Sequence, residues 1–138
     1  GDTLEITNVQ LTKGSIVSEI SPRLLTTELS LCQRYFQKSQ EMDAFYPGVA
    51  GGTNINIFRS HNTDMYVVVQ FATVMRDRPT VTVFSTVNAT AGSIWDYTDT
   101  ADEVIAGTTS GDAGFYMRDS SSTDGNYYGF HWSADIEL

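Results

Sequence analysis

The C-terminal segment YYGFHWSADIEL, residues 127–138, separates apolar and polar side chains onto two faces of an extended chain. Tyr128, Phe130 and Trp132 fall on one face, whereas His131 and Asp135 fall on the other. Alternation with a period of two and one apolar face is typical of a strand whose sheet packs on one side. We therefore expect the three rings to point together into the core of a layered β structure.

Two further segments predict strands in the middle of the chain. MYVVVQFATV, residues 65–74, is apolar on both faces, which predicts a central strand covered on each side. A polar break follows, in which Pro79 lacks the amide proton that a sheet needs. TVTVFS, residues 80–85, alternates, so we expect it to be a strand that neighbours the first.

The turn before the C-terminal strand contains Asp124-Gly125, a pair typical of hairpins because glycine adopts a positive φ without strain. It predicts a hairpin between residues 113–119 and the C-terminal strand. Weaker strand signals lie at residues 54–59 and 103–106, and residues 4–11 indicate an extended segment with a bend or bulge.

One helix is predicted after Ser21-Pro22, because serine followed by proline is a common helix start. The side chains that then recur at helical spacing are Leu25, Leu29, Cys32 and Phe36. Residues 31–38 alternate equally well as a strand. We predict a short helix over residues 23–31 that is followed by a strand over residues 32–39.

The sequence as a whole predicts one layered β domain. The long polar stretches at residues 40–53, 88–102 and 108–112 are expected to be loops. Many short strands with at most one helix predict an all-β, antiparallel β-sandwich of jelly-roll type with one short N-terminal helix. Residues 1–21 are expected to form an N-terminal strand and linker from an upstream region, and residues 22–138 the sandwich.

The charge balance excludes several kinds of partner. The 138 residues include 17 acidic and 8 basic side chains, so the net charge is −9. This argues against binding to nucleic acid or anionic lipid, which normally requires a basic surface. The sequence has no apolar run long enough to insert into a membrane. Cys32, the single cysteine, excludes an intrachain disulfide and is expected to pack as a small apolar residue.

No catalytic constellation can be defended from the sequence. His61 and His131 are the only histidines, and neither has a Ser-His-Asp or Cys-His spacing. We expect His131 to be an ordinary surface or interface residue on the polar face of its strand. The glycine-rich stretch at residues 48–52 lacks the strand and helix that a phosphate-binding loop requires. The chain is therefore predicted not to be an enzyme.

The densest acidic cluster lies in the segment DYTDTADE. It consists of Asp96, Asp99, Asp102 and Glu103. Several carboxylates suit Ca²⁺, but the order of carboxylates and glycine in an EF-hand is absent. A solvated loop is the favoured interpretation, and no metal or cofactor is predicted.

Aromatic residues in polar loops give the best candidate binding site. Trp95 and Tyr97 flank Asp96, Asp99 follows, and Tyr46 lies in an earlier loop. An aromatic ring binds the CH face of a sugar, and a neighbouring carboxylate accepts hydrogen bonds from its hydroxyls. These five residues are the predicted ligand-binding set. The alternative is that Trp95 only anchors its loop on the core.

Four segments carry a resemblance to a known family. They are LEITNVQLTKGS at residues 4–15, TELSLCQRYF at residues 27–36, VVVQFATVMRDRPTVT at residues 67–82 and FHWSADIEL at residues 130–138. Together they resemble the C-terminal domain of bacteriophage tail-fibre and related virion fibre proteins. The matching positions are Val9, Gln10, Leu11, Gly14, Leu29, Leu31, Cys32, Gln33, Arg34, Tyr35, Phe36, Phe71, Met75, Arg76, Pro79, Thr80, Val81, Thr82, Trp132, Ala134, Asp135, Glu137 and Leu138.

The resemblance implies a homotrimeric, receptor-binding fibre tip on the virion, whose ligand is a polysaccharide or lipopolysaccharide of the host surface. Its motif residues imply a framework, and no binding residue is transferred from them. Arg34 and Arg76 are expected to pair with carboxylates such as Asp135 or Glu137. The alternatives are a structural trimerising cap, a head fibre or capsid-decoration module, and a polysaccharide depolymerase.

Overall fold

The structure, a computed structural model, describes residues 24–40 and 55–136. Its helix, α1, spans Leu25–Gln33. The strands are β1 (Phe36–Lys38), β2 (Asn56–Arg59), β3 (Met65–Gln70), β4 (Thr80–Ser85), β5 (Ser93–Asp96), β6 (Ala101–Val104), β7 (Gly107–Ser110), β8 (Gly114–Asp119) and β9 (Tyr127–Asp135). The predicted extended segment at residues 4–11 and the predicted boundary at residue 21 lie outside the described residues.

The strands form two antiparallel sheets, which confirms the all-β sandwich with a single short helix. The long strand β9 organises the larger sheet, because β2 and then β1 pair along one edge while β5 and β4 pair along the other. β6 extends this sheet beyond β5. The smaller sheet has the order β3-β8-β7. Within the described part of the chain, no helix is long and apolar enough to cross a membrane.

The core lies between the sheets, and β9 contributes more residues to it than any other strand. Tyr128, Phe130 and Trp132 are buried together, as the alternation predicted. From the smaller sheet, Phe115 meets Trp132 edge to face with 5.4 Å between ring centroids. Each large apolar side chain so buried contributes on the order of 1.5–3 kcal/mol to folding, which makes this cluster the main source of stability.

The prediction that residues 65–74 and 80–85 form neighbouring strands is wrong. β3 pairs with β8 in the smaller sheet, whereas β4 pairs with β9 in the larger one. The connection between them crosses from one sheet to the other and buries Met75. β3 is also not covered on both faces, because Tyr66 and Val68 are exposed. An apolar run does not reveal whether a partner covers its second face.

The predicted hairpin between residues 113–119 and 127–138 is also wrong. Gly125 has the expected positive φ of 89°. However, its amide donates to the Ser60 carbonyl, at 3.0 Å, and Ser60 donates to the Asn126 carbonyl at 2.9 Å. These bonds align the turn with the end of β2, so the chain passes from β8 in one sheet to β9 in the other.

Two predicted loops contain strands. Residues 88–102 include β5 and the start of β6, and residues 108–112 include most of β7. β7 consists of glycine, threonine and serine, and β6 contains two acidic residues, but the pairing of backbone groups needs no apolar side chain. The strand predicted at residues 103–106 is displaced to Ala101–Val104.

The N-terminal helix is confirmed as an element but differs in its details. It begins and ends two residues later than predicted, and none of its side chains is buried. Cys32 is exposed, so the prediction that it packs in an apolar environment is wrong. The predicted strand at residues 32–39 shortens to β1. The Arg76 guanidinium donates a hydrogen bond to the Tyr35 hydroxyl.

Candidate functional site

Five exposed or half-buried side chains surround Gly129 on the outer face of the larger sheet. We call this set the outer aromatic surface: Ile57, Arg59, Trp95, Tyr97 and Tyr127. Strand register brings it together, because Ile57 and Trp95 are the partners of Gly129 on its two sides. Arg59 is the partner of Tyr127. Alternation sends the intervening residues Phe58 and Tyr128 towards the core, where their rings stack.

Gly129 leaves room for the ring of Tyr97 to lie on the sheet. An added Cβ at residue 129 would come within 2.6 Å of Tyr97 Cε2 and 3.2 Å of Ile55 Cγ2. The Tyr97 hydroxyl lies 3.0 Å from Thr86 Oγ1, so the ring is also held at its far end. The residue as a whole remains 39% exposed. It is therefore a fixed aromatic surface that solvent can reach.

The second exposed ring of this surface is that of Tyr127, which is 51% exposed. The Arg59 guanidinium carbon lies 5.6 Å from the ring centroid, a cation–π distance. Arg59 Nε donates to the Gly125 carbonyl at 3.2 Å, which fixes the guanidinium. The Tyr97 amide donates to the Tyr127 carbonyl at 2.8 Å. The backbones of the two tyrosines are thus directly joined.

Asp96 stabilises the loop between β5 and β6, residues 97–100, from its buried side. It is buried, and its Oδ1 accepts hydrogen bonds from the amides of Thr98 and Asp99 at 2.7 and 3.0 Å. Its Oδ2 accepts one from Asn126 Nδ2 at 2.8 Å. A side chain that binds amides two and three residues ahead closes a tight turn. Both carboxylate oxygens are engaged inside the protein, so Asp96 shapes the site and does not line it.

The side-chain amide of Asn126 also links the β5–β6 loop to the turn before β9. Nδ2 also donates to Asp99 Oδ2 at 2.9 Å. The Tyr127 amide donates to Thr98 Oγ1 at 3.2 Å. Asp99 itself is exposed. Its carboxylate therefore lies at the rim of the outer aromatic surface, in a position fixed by Asn126.

The electrostatics below this surface are those of a buried polar layer. Burial alone would raise the pKa of Asp96, but the hydrogen bonds that it accepts, led by that from Asn126, hold this pKa below 3.8. Burial raises the pKa of Tyr128 to about 12, and the carboxylates of Glu103 and Asp96 add to that effect. Burial, followed by the negative charge of Asp119, raises the pKa of Glu103. The pKa values of the two groups therefore shift in opposite directions. Hydrogen bonds to the charged form prevail at Asp96, whereas burial prevails at Glu103.

The predicted site residues end in different environments. Trp95 and Tyr97 belong to the outer aromatic surface and Asp99 to its rim, whereas Asp96 lies beneath. Tyr46 lies outside the described residues. The sequence prediction missed Ile57, Arg59 and Tyr127. Alternation within β2 and β9 placed Tyr127 opposite Tyr128, but only the pairing of the two strands with β5 shows that all these residues share one surface.

The acidic cluster does not form a cation cage in the described part of the chain, where no three His, Cys, Asp or Glu side chains are arranged to hold a metal ion. Asp102 instead ties down the β4–β5 turn. It accepts hydrogen bonds from Ser85, Asn88 and Thr90. Burial opposes ionisation of Asp102, but these bonds hold its pKa below 3.8.

The structure also brings Ser39 and His131 together. His131 is buried, so its assignment to the surface is wrong. Ser39 Oγ lies 3.2 Å from His131 Nδ1 and accepts a hydrogen bond from the Trp132 amide at 2.9 Å. Among the described residues His131 Nε2 has no hydrogen-bond partner, so no carboxylate orients the ring as in a catalytic triad. The pair connects the end of β1 to β9.

Comparison with known proteins finds no matching family model, no similar characterised protein and no similar solved structure.

Proposed function

We propose that this chain is a non-enzymatic receptor-binding domain at the tip of a phage tail fibre, and that its outer aromatic surface binds a polysaccharide or lipopolysaccharide of the host. The observation that carries this proposal is the pair of exposed rings, Tyr97 and Tyr127, which are fixed on a rigid sheet around Gly129. Rings held in place lose little conformational entropy on binding, which favours the recognition of flat, weakly binding sugars.

The chemistry of the surface suits a saccharide. The two rings offer faces for CH groups, and the Arg59 guanidinium beside Tyr127 offers donors. Asp99, exposed in the loop that follows Tyr97, offers an acceptor. Asp96 and Asn126 stabilise the loop from within. In this arrangement Trp95, Tyr97, Tyr127 and Asp99 contact ligand, while Asp96 positions the loop.

The segments that resemble fibre proteins meet far from this surface, in support of a framework role. The Arg76 amide donates to the Arg34 carbonyl at 2.9 Å, and the Ile136 amide donates to the Tyr35 carbonyl at 2.9 Å. Asp135 is the strand partner of both Phe36 and Thr80. Three separate motifs therefore join around the C-terminal half of β9. The binding surface occupies its N-terminal half, which leaves the ligand free to differ between relatives.

The exposed helix supports the homotrimer that belongs to this proposal. Leu25 is 82% exposed, and Leu24 and Leu31 are exposed beside it. A groove between α1 and β1 continues this apolar surface along Leu29 and Phe36. A helix of 9 residues is shorter than the roughly 12–15 residues that are marginally stable alone in water, so it needs tertiary contacts. We propose that neighbouring copies of the chain cover it.

A glycan array tests the binding function. Labelled wild-type protein is applied to bacterial polysaccharides and lipopolysaccharides beside Tyr97→Ala and a control, Val74→Ala, which removes an exposed apolar side chain between β3 and β4. We expect binding to at least one surface glycan by the wild type and the control, and a weaker signal for that glycan with Tyr97→Ala. No binding to any host glycan would contradict receptor recognition and would favour the structural cap, which immunogold labelling of the capsid would then locate.

Light scattering tests the assembly. The expected mass is three times that of one chain, and Leu25→Asp is expected to give single chains with unchanged circular dichroism, because it places a charge on the apolar helix face. A wild-type protein that runs as a single chain would contradict the homotrimer without affecting the glycan-binding proposal.

A further inference from the structure

The smaller sheet exposes aromatic side chains on its outer face, on the other side of the sandwich. Tyr66 and Tyr116 are exposed, with 6.0 Å between their ring centroids. Val68, the strand partner of Tyr116, is 73% exposed. The Arg118 guanidinium lies 5.8 Å from the Tyr66 ring and forms a bidentate ion pair with Asp64 at 3.0 and 3.1 Å. One end of this face is therefore occupied by an internal ion pair.

At its other end the face has a shallow depression beside the β7–β8 turn. Its volume is about 370 Å³, and it is widely open to solvent. Gly111 and Gly114 contribute the part nearest the turn. A Cβ on Gly114 would approach the Val69 carbonyl oxygen within 2.3 Å, so only glycine allows this close approach of the strands. The absence of a side chain there leaves the depression open.

The side chains around the depression have the chemistry of a neutral sugar site. Tyr116 and Val68 supply an aromatic ring and an apolar edge, and none of the lining residues is charged. The Gln70 amide and the Thr109 hydroxyl are exposed on the same face, on either side of Tyr116. Neither side chain is hydrogen-bonded to another described residue, whereas the nearby Ser110 hydroxyl donates to the Pro79 carbonyl at 2.7 Å. Gln70 and Thr109 are thus free to bind ligand hydroxyls.

We propose that this depression is a second saccharide site, which binds a neutral hexopyranose with its CH face against Tyr116 and its hydroxyls on Gln70 and Thr109. An aromatic ring combined with a few amide and hydroxyl groups is the chemistry that such a ligand requires. Because none of the lining residues is charged, we expect the depression to favour neutral over anionic sugars. The ligand class is that of the proposed function, but the residues are different, so either site can exist without the other.

Saturation-transfer difference NMR on the 138-residue chain tests this site. The probes are the neutral methyl glycosides of glucose, galactose, mannose and N-acetylglucosamine, with methyl glucuronide as the anionic comparison. We expect signals from at least one neutral glycoside with the wild type and with Tyr97→Ala. In the Tyr97→Ala background, in which the outer aromatic surface is disabled, the additional change Tyr116→Ala is expected to reduce these signals to the level of a protein-free sample, and Gln70→Ala to weaken them at least twofold. Val74→Ala is the surface control.

The variants keep the result interpretable. Tyr116→Ala is accepted only if its circular dichroism matches the wild type, and Gln70→Ala, which changes an exposed amide, tests the site should Tyr116→Ala unfold. Loss of the signals in Tyr97→Ala would place all sugar binding on the outer aromatic surface and overturn the second site. The second site would also be overturned if Gln70→Ala and a folded Tyr116→Ala leave the signals unchanged in the Tyr97→Ala background. Signals from the glucuronide alone, or no signals at all, would overturn it as well. The array result for the larger sheet would stand in each case.

Discussion

The ring of Tyr97 lies directly over Gly129, at a point where a Cβ on residue 129 would approach Tyr97 Cε2 within 2.6 Å. Atoms this close repel, so the glycine and the position of the ring depend on each other. The obstruction is a side chain and not backbone, which means that the ring can move away while the sheet remains intact. A substitution at residue 129 is therefore expected to alter the binding surface without disrupting the fold.

Gly129→Ala is therefore expected to displace the Tyr97 ring and to weaken binding of the array glycan as Tyr97→Ala does, with a loss of stability of only about 1–3 kcal/mol because the overcrowding is local. Urea denaturation and array binding, measured on the same preparation, check this. Ser133→Ala, which alters the same face of β9 four residues away, is the control and is expected to bind normally. Binding by Gly129→Ala at the wild-type level would show that the position of Tyr97 is irrelevant to recognition.

Asp96→Asn is expected to destabilise the protein by about 1–3 kcal/mol, because the new amide group would face the donor Nδ2 of Asn126 without an acceptor between them. Urea denaturation at neutral pH measures this change. Asp124→Asn removes the same charge from an exposed turn residue and is expected to change stability by less than about 0.5 kcal/mol.

The pH dependence gives a second measurement on the same variant. The pKa of Asp96 is below 3.8 in the folded protein, so its contribution is present above that value and is lost as the pH falls through the folded pKa. The stability difference between wild type and Asp96→Asn should therefore shrink in strong acid. A difference that is constant down to about pH 2 would mean that the charged carboxylate is not the stabilising form.

Thr100 is the one described β-branched residue with a left-handed backbone, at φ 54°, in the turn that connects β5 to β6. This conformation is unfavourable by roughly 1–2 kcal/mol for residues with a Cβ, and asparagine tolerates it better. Thr100→Asn is expected to raise the free energy of unfolding by about 0.5–1 kcal/mol. Thr63→Asn, at an exposed loop position without a positive φ, should leave stability within about 0.5 kcal/mol. Equal changes in the free energy of unfolding at residues 100 and 63 would show that the left-handed backbone of Thr100 is not the cause.

His131 predicts a loss of stability in mild acid. Burial holds the pKa of its imidazole below the ordinary value of 6.5, so the unfolded chain binds the proton more readily. Its contribution is complete above about pH 6.5 and declines as the pH falls towards the folded pKa. Urea denaturation of wild type and His131→Asn at about pH 7 and about pH 5 should show a smaller decline in the variant.

The comparison between these two proteins isolates the histidine. The pKa of Glu103 is raised, which produces a slope of the opposite sign over part of the same interval, but it does so in both proteins. Parallel slopes for wild type and His131→Asn would show that the imidazole does not titrate differently on folding.

The fold could be predicted where alternation was strict. The rings of Tyr128, Phe130 and Trp132 obey a period of two over a long strand, and the structure buries them together. Pairing between strands could not be predicted, because it depends on long-range contacts. The Asp124-Gly125 turn indicates a reversal of the chain but not that Ser60, distant in sequence, accepts its hydrogen bond.

The candidate site could be predicted in part for the same reason. Trp95, Tyr97 and Asp99 are close in sequence, and the combination of aromatic and acidic residues indicates a binding loop. Arg59 reaches this surface only through its register with Tyr127. The internal role of Asp96 depends on Asn126, thirty residues later in the sequence. The side-chain amide of Asn126 donates to Asp96 Oδ2, the oxygen that would otherwise accept a hydrogen bond from a ligand hydroxyl.

Binding by the exposed ring of Tyr127 tests the central claim most directly. The array glycan that binds wild-type protein most strongly is titrated calorimetrically into wild type and Tyr127→Ala. Both proteins are first shown to have the same circular dichroism and the same number of chains per assembly. Loss of an aromatic contact worth about 0.5–1.5 kcal/mol corresponds to an affinity weakened by about twofold to thirteenfold, and we predict a change of this size. Equal dissociation constants for the two proteins would contradict glycan recognition by the outer aromatic surface.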